Sequence, residues 1–158
     1  MTERSVTHAT FTIERRYRSA PAKVFAAFSD PARKRRWFAE GPGFYLDSYE
    51  LDFRVEGFER SRFRFVADRP LEEGTVCTND TVFMDIVPDE RIVIAYTMKI
   101  SGSRISCSQS TMEFIADGNG TLLVFTEQAA FFEGGDGPEM REQGTRELLE
   151  SLAKELGE

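Results

Sequence analysis

"PEMREQGTRELLESLAKEL", Pro138 to Leu156, is the stretch on which the fold turns. Met140, Gly144, Leu148, Leu152 and Leu156 form one i+4 row, and Thr145, Leu149 and Ala153 form the row beside it. Pro138 suits the first turn of a helix, where a missing N–H breaks no hydrogen bond. The spacing predicts a long amphipathic helix, and such a helix must lay its apolar stripe on another element. Gly144 interrupts that stripe, so the volume of its absent side chain is either cavity or filled core.

Working back from the helix, the chain reads as strands. "TLLVFTEQ" (121–128) is the last, and "DGNG" (117–120) is a hairpin signal joining it to "ISCSQSTMEFIA" (105–116). "RIVIAYTMKI" (91–100) is the cleanest, with Ile92, Ile94, Tyr96, Met98 and Ile100 on one face. The turn "PDER" (88–91) links it to "TVCTNDTVFMDIV" (75–87). "ADRPLEEG" (67–74) reads as a loop and "RFRFVAD" (62–68) as a strand. "YELDFRVEG" (49–57) reads as a strand with Leu51, Phe53 and Val55 on one face and Gly57 at a bulge or turn. "ATFTIERRYRSA" (9–20) alternates as a half-buried strand, and Arg15 on its apolar face must snorkel or find a partner.

Between the first strand and the rest lies "SAPAKVFAAFSDPARKRRWF" (19–38), read as two short helices. Ser19 is placed to cap the first, Val24, Phe25 and Phe28 share its face, and Asp30-Pro31 starts the second. Four cations, Arg33 to Arg36, are read as a solvated face, with Trp37 buried to fix the helices to the sheet. The expected architecture is α+β: strand, two helices, six strands and a long helix in one domain over residues 1–158.

Composition narrows the function. The chain has 158 residues, 20 Lys and Arg against 27 Asp and Glu, and a net charge of −7, which disfavours a nucleic-acid partner. It contains no apolar run long enough to span a bilayer and no secretory signal pattern, so a cytoplasmic protein without membrane insertion is expected. Cys77 and Cys107 stand far apart and read as reduced thiols, and the one histidine, His8, sits in a polar N-terminal lead-in. Histidine-based triads and metal sites are therefore disfavoured, and no metal or cofactor is expected.

These segments resemble a known family. The order β-α-α-β(6)-α is that of the helix-grip fold of the START-like, or SRPBCC, superfamily. "SAPAKVFAAFSDPARKRRWF", "DIVPDERIVIAY" (85–96), "GTLLVFTEQ" (120–128) and "EQGTRELLESLAKEL" (142–156) are similar, in that order, to motifs of its activator of Hsp90 ATPase (AHSA1-like) branch. The resemblance covers about residues 9–157. Two positions depart from it: Glu56-Gly57 stands where a Gly pair is common, and Thr145 follows Gly144 where many relatives carry an aromatic.

A helix laid across a curved sheet leaves a groove, and small-molecule sites favour apolar concavities. The residues expected to line it are Phe25, Phe28, Phe53, Ile94, Tyr96, Met98, Met112, Phe114, Phe125 and Leu148, with Gly144 beneath the helix. Glu127 shares the face of Phe125 and reads either as a base or ligand anchor at the cavity mouth, or as a strand-end carboxylate paired with an arginine. Ser106, Ser108 and Ser110 face either the ligand or water, depending on a bulge. Binding of a small apolar or aromatic molecule is the expected function. The resemblance also implies two alternatives: a cyclase, aromatase or hydrolase using Glu127, Tyr96 and Asp85, or a regulator of an Hsp90-type chaperone. A homodimer through the sheet's outer face or an edge strand is a separate expectation.

Overall fold

The structure is a computed structural model that describes residues 5–66 and 71–158. The elements are β1 (Thr7–Tyr17), α1 (Pro21–Ser29), α2 (Pro31–Lys34) running into a wider π-helical turn (Arg35–Ala39), then β2 (Phe44–Leu51), β3 (Phe58–Phe65), β4 (Val76–Val87), β5 (Arg91–Ile100), β6 (Ser103–Asp117), β7 (Gly120–Phe131) and α3 (Gly137–Glu155). All seven strands form one antiparallel, curved sheet in the order β1-β7-β6-β5-β4-β3-β2. The expected helix-grip architecture is therefore present, with α3 lying on the inner face. Among the described residues no helix is long and apolar enough to cross a membrane.

Burial follows the two periodicities. Leu149, Leu152, Ala153 and Leu156 of the last helix pack on Phe11, Ile13, Tyr17, Ile92 and Leu123 of the sheet. Each buried leucine contributes about 1.5–3 kcal/mol of apolar transfer. Tyr17 adds a polar tie, its hydroxyl donating to the carbonyl of Leu149 at 2.8 Å. Trp37 anchors the helical segment as expected: its ring meets Phe28 edge-on at 5.0 Å and its Nε1 donates to Ala27 O at 2.8 Å. Arg15 finds the partner it needed in Glu150, at 2.8 Å.

Several local readings are corrected. β2 begins at Phe44 and ends at Leu51, so Phe53 and Val55 belong to a turn. Asp52 O accepts from Arg54 N and Phe58 N, and Glu56 takes a φ of 70°. A Cβ at Gly57 would stand 2.2 Å from Asp52 O, which is why only glycine fits there. Val55 is consequently exposed, while Phe53 folds back onto the core. Ser19 does not cap α1. Ala20 holds that position, and Ser19 Oγ instead donates to Glu158 at 2.8 Å. β1 starts early enough to include His8. Ala67 to Pro70, the first half of the expected 67–74 loop, lie outside the described residues.

The cationic run is also not uniform. Arg35 and Arg36 pair at the surface with Glu40 and Glu155, as a solvated face should. Lys34 is buried, because it lies three and four residues before Trp37 and Phe38 and shares their inward side. In β6, Ile105 is the extra residue of a bulge between the pairs Met98–Ser106 and Lys99–Arg104. Beyond it Ser106, Ser108, Ser110, Met112 and Phe114 all turn inward, which settles the face of the serines.

Candidate functional site

α3 does not sit flush on the sheet. Gly144 faces the sheet with no side chain, and a Cβ built there would meet nothing within 4 Å. Around this gap opens a cavity of about 300 Å³. Trp37, Phe38 and Ala39 close one side and Met140, Gly144, Leu148 and Leu149 of α3 form the roof. The floor is the inner face of the central strands. Antiparallel register sets its residues in rows: Glu59–Thr81–Tyr96–Ser108 is one, and Ser61–Asn79–Met98–Ser106 is the next.

Of the twelve residues expected to line the groove, nine are on its wall: Phe28, Ile94, Tyr96, Met98, Met112, Phe125, Glu127, Gly144 and Leu148. Phe25, Phe53 and Phe114 are not. Phe25 stacks edge-on against Phe53 at 5.6 Å and Phe114 at 5.4 Å, so these rings fill the core beside the cavity. Asp85 is also elsewhere, bonded to Arg91 at 2.9 Å at the surface. It drops out of any acid–base set in the cavity.

Glu127 is at neither a strand end nor a mouth. β7 continues to Phe131, so the carboxylate lies in the middle of the strand and is 1% exposed. The Tyr96 hydroxyl donates to its two oxygens at 2.8 and 2.9 Å, and Ser110 Oγ donates at 2.8 Å. Arg141 Nη1 stands 3.7 Å from Glu127 Oε2 and donates to the Tyr96 oxygen at 3.0 Å. The rest of this guanidinium is held by Asp136 (2.7 and 2.9 Å) and Ser106 (2.9 Å).

Burial pushes the Glu127 carboxyl above the usual carboxylate range, and the bonds from Tyr96 and Ser110 and the charge of Arg141 only partly oppose it. Burial, then the Glu127 charge, likewise raise the Tyr96 phenol, which stays protonated. Burial works against the charge of Arg141, but Tyr96, Asp136 and Glu127 outweigh it and hold the guanidinium protonated. This is an acid–base cluster with a bound proton donor, at one end of an apolar hollow.

A second buried ion pair lies across the cavity floor. Lys34 Nζ donates to Glu59 Oε1 at 3.0 Å, and Tyr49 donates to the other oxygen. The ammonium is 4.1 Å from the centre of the Phe38 ring, 5.4 Å from Trp37 and 5.5 Å from Phe28, so three rings face one cation.

The sequence reading missed Lys34, Glu59, Asp136 and Arg141. Arg141 was within reach of it: the row Thr145, Leu149, Ala153 extended back by one turn lands on it. Glu59 and Ser61 alternate inward along β3, but a glutamate at an inward position carries no mark in the sequence that it is buried. Among the described residues no group of three or more His, Cys, Asp and Glu side chains is placed to hold a metal ion. Cys77 is buried, Cys107 is exposed, and both are free thiols.

Known proteins place this architecture. The family model described as "Activator of Hsp90 ATPase homolog 1-like protein" matches residues 18–157. The Mll3558 protein of Rhizobium loti is 47% identical, with 96% of this chain and 99% of that one covered and a TM-score of 0.85. An uncharacterised protein of Rhizobium leguminosarum is 42% identical over 99% of both chains, with a TM-score of 0.87. The AHSA1-like protein of Aeromonas hydrophila, at 16% identity and a TM-score of 0.66 over 94% of this chain and 92% of that one, shares the fold alone. No curated protein matches the chain. With the family model spanning nearly all of the sequence, from the Pro-started first helix to the end of the closing one, the chain belongs to the activator of Hsp90 ATPase homolog 1-like family.

Proposed function

We propose that this protein binds a small apolar or aromatic molecule in the hollow between α3 and the sheet. The observation that carries the reading is the unfilled volume itself. Protein interiors pack with few voids larger than a water molecule, whereas this one measures about 300 Å³, at the small end of ligand pockets. Its walls are mostly apolar or aromatic, with the polar groups supplied by β3, β4 and β7 of the sheet and by Lys34, Asp136, Arg141 and Thr145 of the helical segments. A helix-favouring residue at position 144 would both fill the hollow and strengthen α3, so the glycine serves room rather than stability.

Thermal melting with flat aromatic probes tests this. At about 100 times its Kd, a probe that binds only the folded chain adds about 2.7 kcal/mol of stability. Gly144→Leu, which occupies the space, should abolish the shift while the variant itself melts no lower than the parent. No shift from any apolar probe, or a shift that survives Gly144→Leu, would remove the reading.

One observation favours a second reading. Glu127 is a buried carboxyl with a raised pKa, hydrogen-bonded to a phenol at a cavity wall, which is how a general acid or base is built. A cyclase- or hydrolase-type reaction in the same hollow would then depend on Glu127 and Tyr96. Turnover of a bound probe that Glu127→Gln abolishes without loss of binding would favour it over simple binding.

A further inference from the structure

The cavity wall carries charges of both signs, and their pairing bears on what can enter. Two cations line it, Lys34 and Arg141, against three carboxylates, Glu59, Glu127 and Asp136. Lys34 is committed to Glu59 at 3.0 Å. Arg141 is committed to both oxygens of Asp136, to Ser106 and to the Tyr96 oxygen, with Glu127 3.7 Å away. Both cations and both of the most buried carboxylates are less than a tenth exposed, so water does little to screen them. An entering anion would lose its own hydration, meet cations already neutralised, and face a surplus of carboxylate. That combination is costly in a low-dielectric interior.

Neutral hydrogen-bonding groups are placed differently. Ser61, Asn79 and Thr81 stand side by side on β3 and β4, along one edge of the floor. Thr81 Oγ1 is 3.3 Å from Asn79 Oδ1, so the Asn79 amide N–H groups are the donors this side chain can offer a guest. Met112, Phe125 and Leu148 on other strands and the roof offer only apolar contact.

Resting on the binding role proposed above, we infer that the occupant is an uncharged molecule, apolar over most of its surface with hydrogen-bonding groups along one edge, and that the cavity discriminates against anions of the same shape. Lys34 and Glu59 set this selectivity together, since the lysine would attract an anion if the glutamate did not occupy it.

The test compares 2-naphthamide with 2-naphthoate, which differ in charge and little in shape, by calorimetric titration of the full chain near neutral pH. The amide should bind at least about tenfold more tightly, the equivalent of 1.4 kcal/mol. In Glu59→Gln, which frees the charge of Lys34, the ratio of the two affinities should fall toward one or invert. Glu127→Gln, which removes the surplus carboxylate from the wall while Asp136 still holds Arg141, should move it the same way if the first variant folds poorly by circular dichroism. Naphthoate binding as tightly as the amide to the parent, with Gly144→Leu blocking both, overturns the selectivity but keeps the binding role. Binding of neither probe, or binding that Gly144→Leu does not touch, overturns both.

Discussion

Lys34 and Glu59, 25 residues apart in sequence, meet at 3.0 Å in the interior and join the α2 turn to the third strand. Each is nearly sealed from solvent, at 8% and 4% side-chain exposure. A pair of this kind adds little net stability over two apolar residues, but removing one partner strands the other charge. Glu59→Ala should therefore lower unfolding free energy by about 3–5 kcal/mol. The double variant Lys34→Met, Glu59→Gln removes both charges, keeps an acceptor for Tyr49, and should regain most of the loss. Urea unfolding of the single and double variants measures both effects. Equal losses would show that the pair is not electrostatically coupled.

Gly144 sits in the interior of α3, where glycine costs roughly 0.8–1 kcal/mol relative to alanine. Its position has open space on the sheet side, so a methyl group meets nothing to displace it. Gly144→Ala should raise the melting temperature by about 2–4 °C, the scale for 1 kcal/mol in a chain of this size. A lowered melting point would mean that the helix seats more closely than described.

The outline of the fold was legible because its periods are strong. β5 runs from Arg91 to Ile100 as the alternation of its residues requires, and α3 follows its i+4 rows. The content of the cavity was harder to read. Phe25, Phe28, Phe53 and Phe114 are alike in sequence, and which ring reaches the hollow depends on where α3 crosses the sheet. Four adjacent cations are likewise indistinguishable until the π-helical turn fixes which one points inward. Glu127 was placed on the right face, but β7 runs three residues past the last clear strand signal, which sets the carboxylate within the strand and not at its end.

Trp37 is buried to 5% exposure and closes the cavity beside Phe38. Trp37→Ala removes this packing and should cost about 3–5 kcal/mol. Trp37→Phe keeps most of the ring contact with Phe28 and loses chiefly the bond to Ala27 O, so its cost should be near 1 kcal/mol. Denaturant midpoints at unchanged m-value distinguish the two. A large loss in the phenylalanine variant would shift the weight from packing to the indole N–H.

Two carboxyls should give pH dependences of opposite sign. Burial raises the Glu127 pKa in the folded chain, helped by the negative charge of Asp136 and opposed by the bonds from Tyr96 and Ser110 and the charge of Arg141. The folded state then keeps a proton that the unfolded chain has already released, so this group's contribution to stability falls as pH climbs from the ordinary carboxylate value to the raised one. Glu155 behaves in reverse. The hydrogen bond from Arg36 holds its pKa below the ordinary value, so it stabilises above the unfolded pKa and loses that contribution as pH drops through the folded one. Its partner is half exposed, so the effect is small. Relative to the parent, Glu127→Gln should gain stability as pH rises above the ordinary carboxylate value, and Glu155→Gln should lose it as pH rises toward that value from below. Urea titrations from about pH 2 to 8, which extend to both sides of the ordinary carboxylate value, measure both. A Glu127→Gln difference that stays flat over that span would mean the carboxyl is held at its ordinary value, with Arg141 and the two hydroxyls fully offsetting its burial.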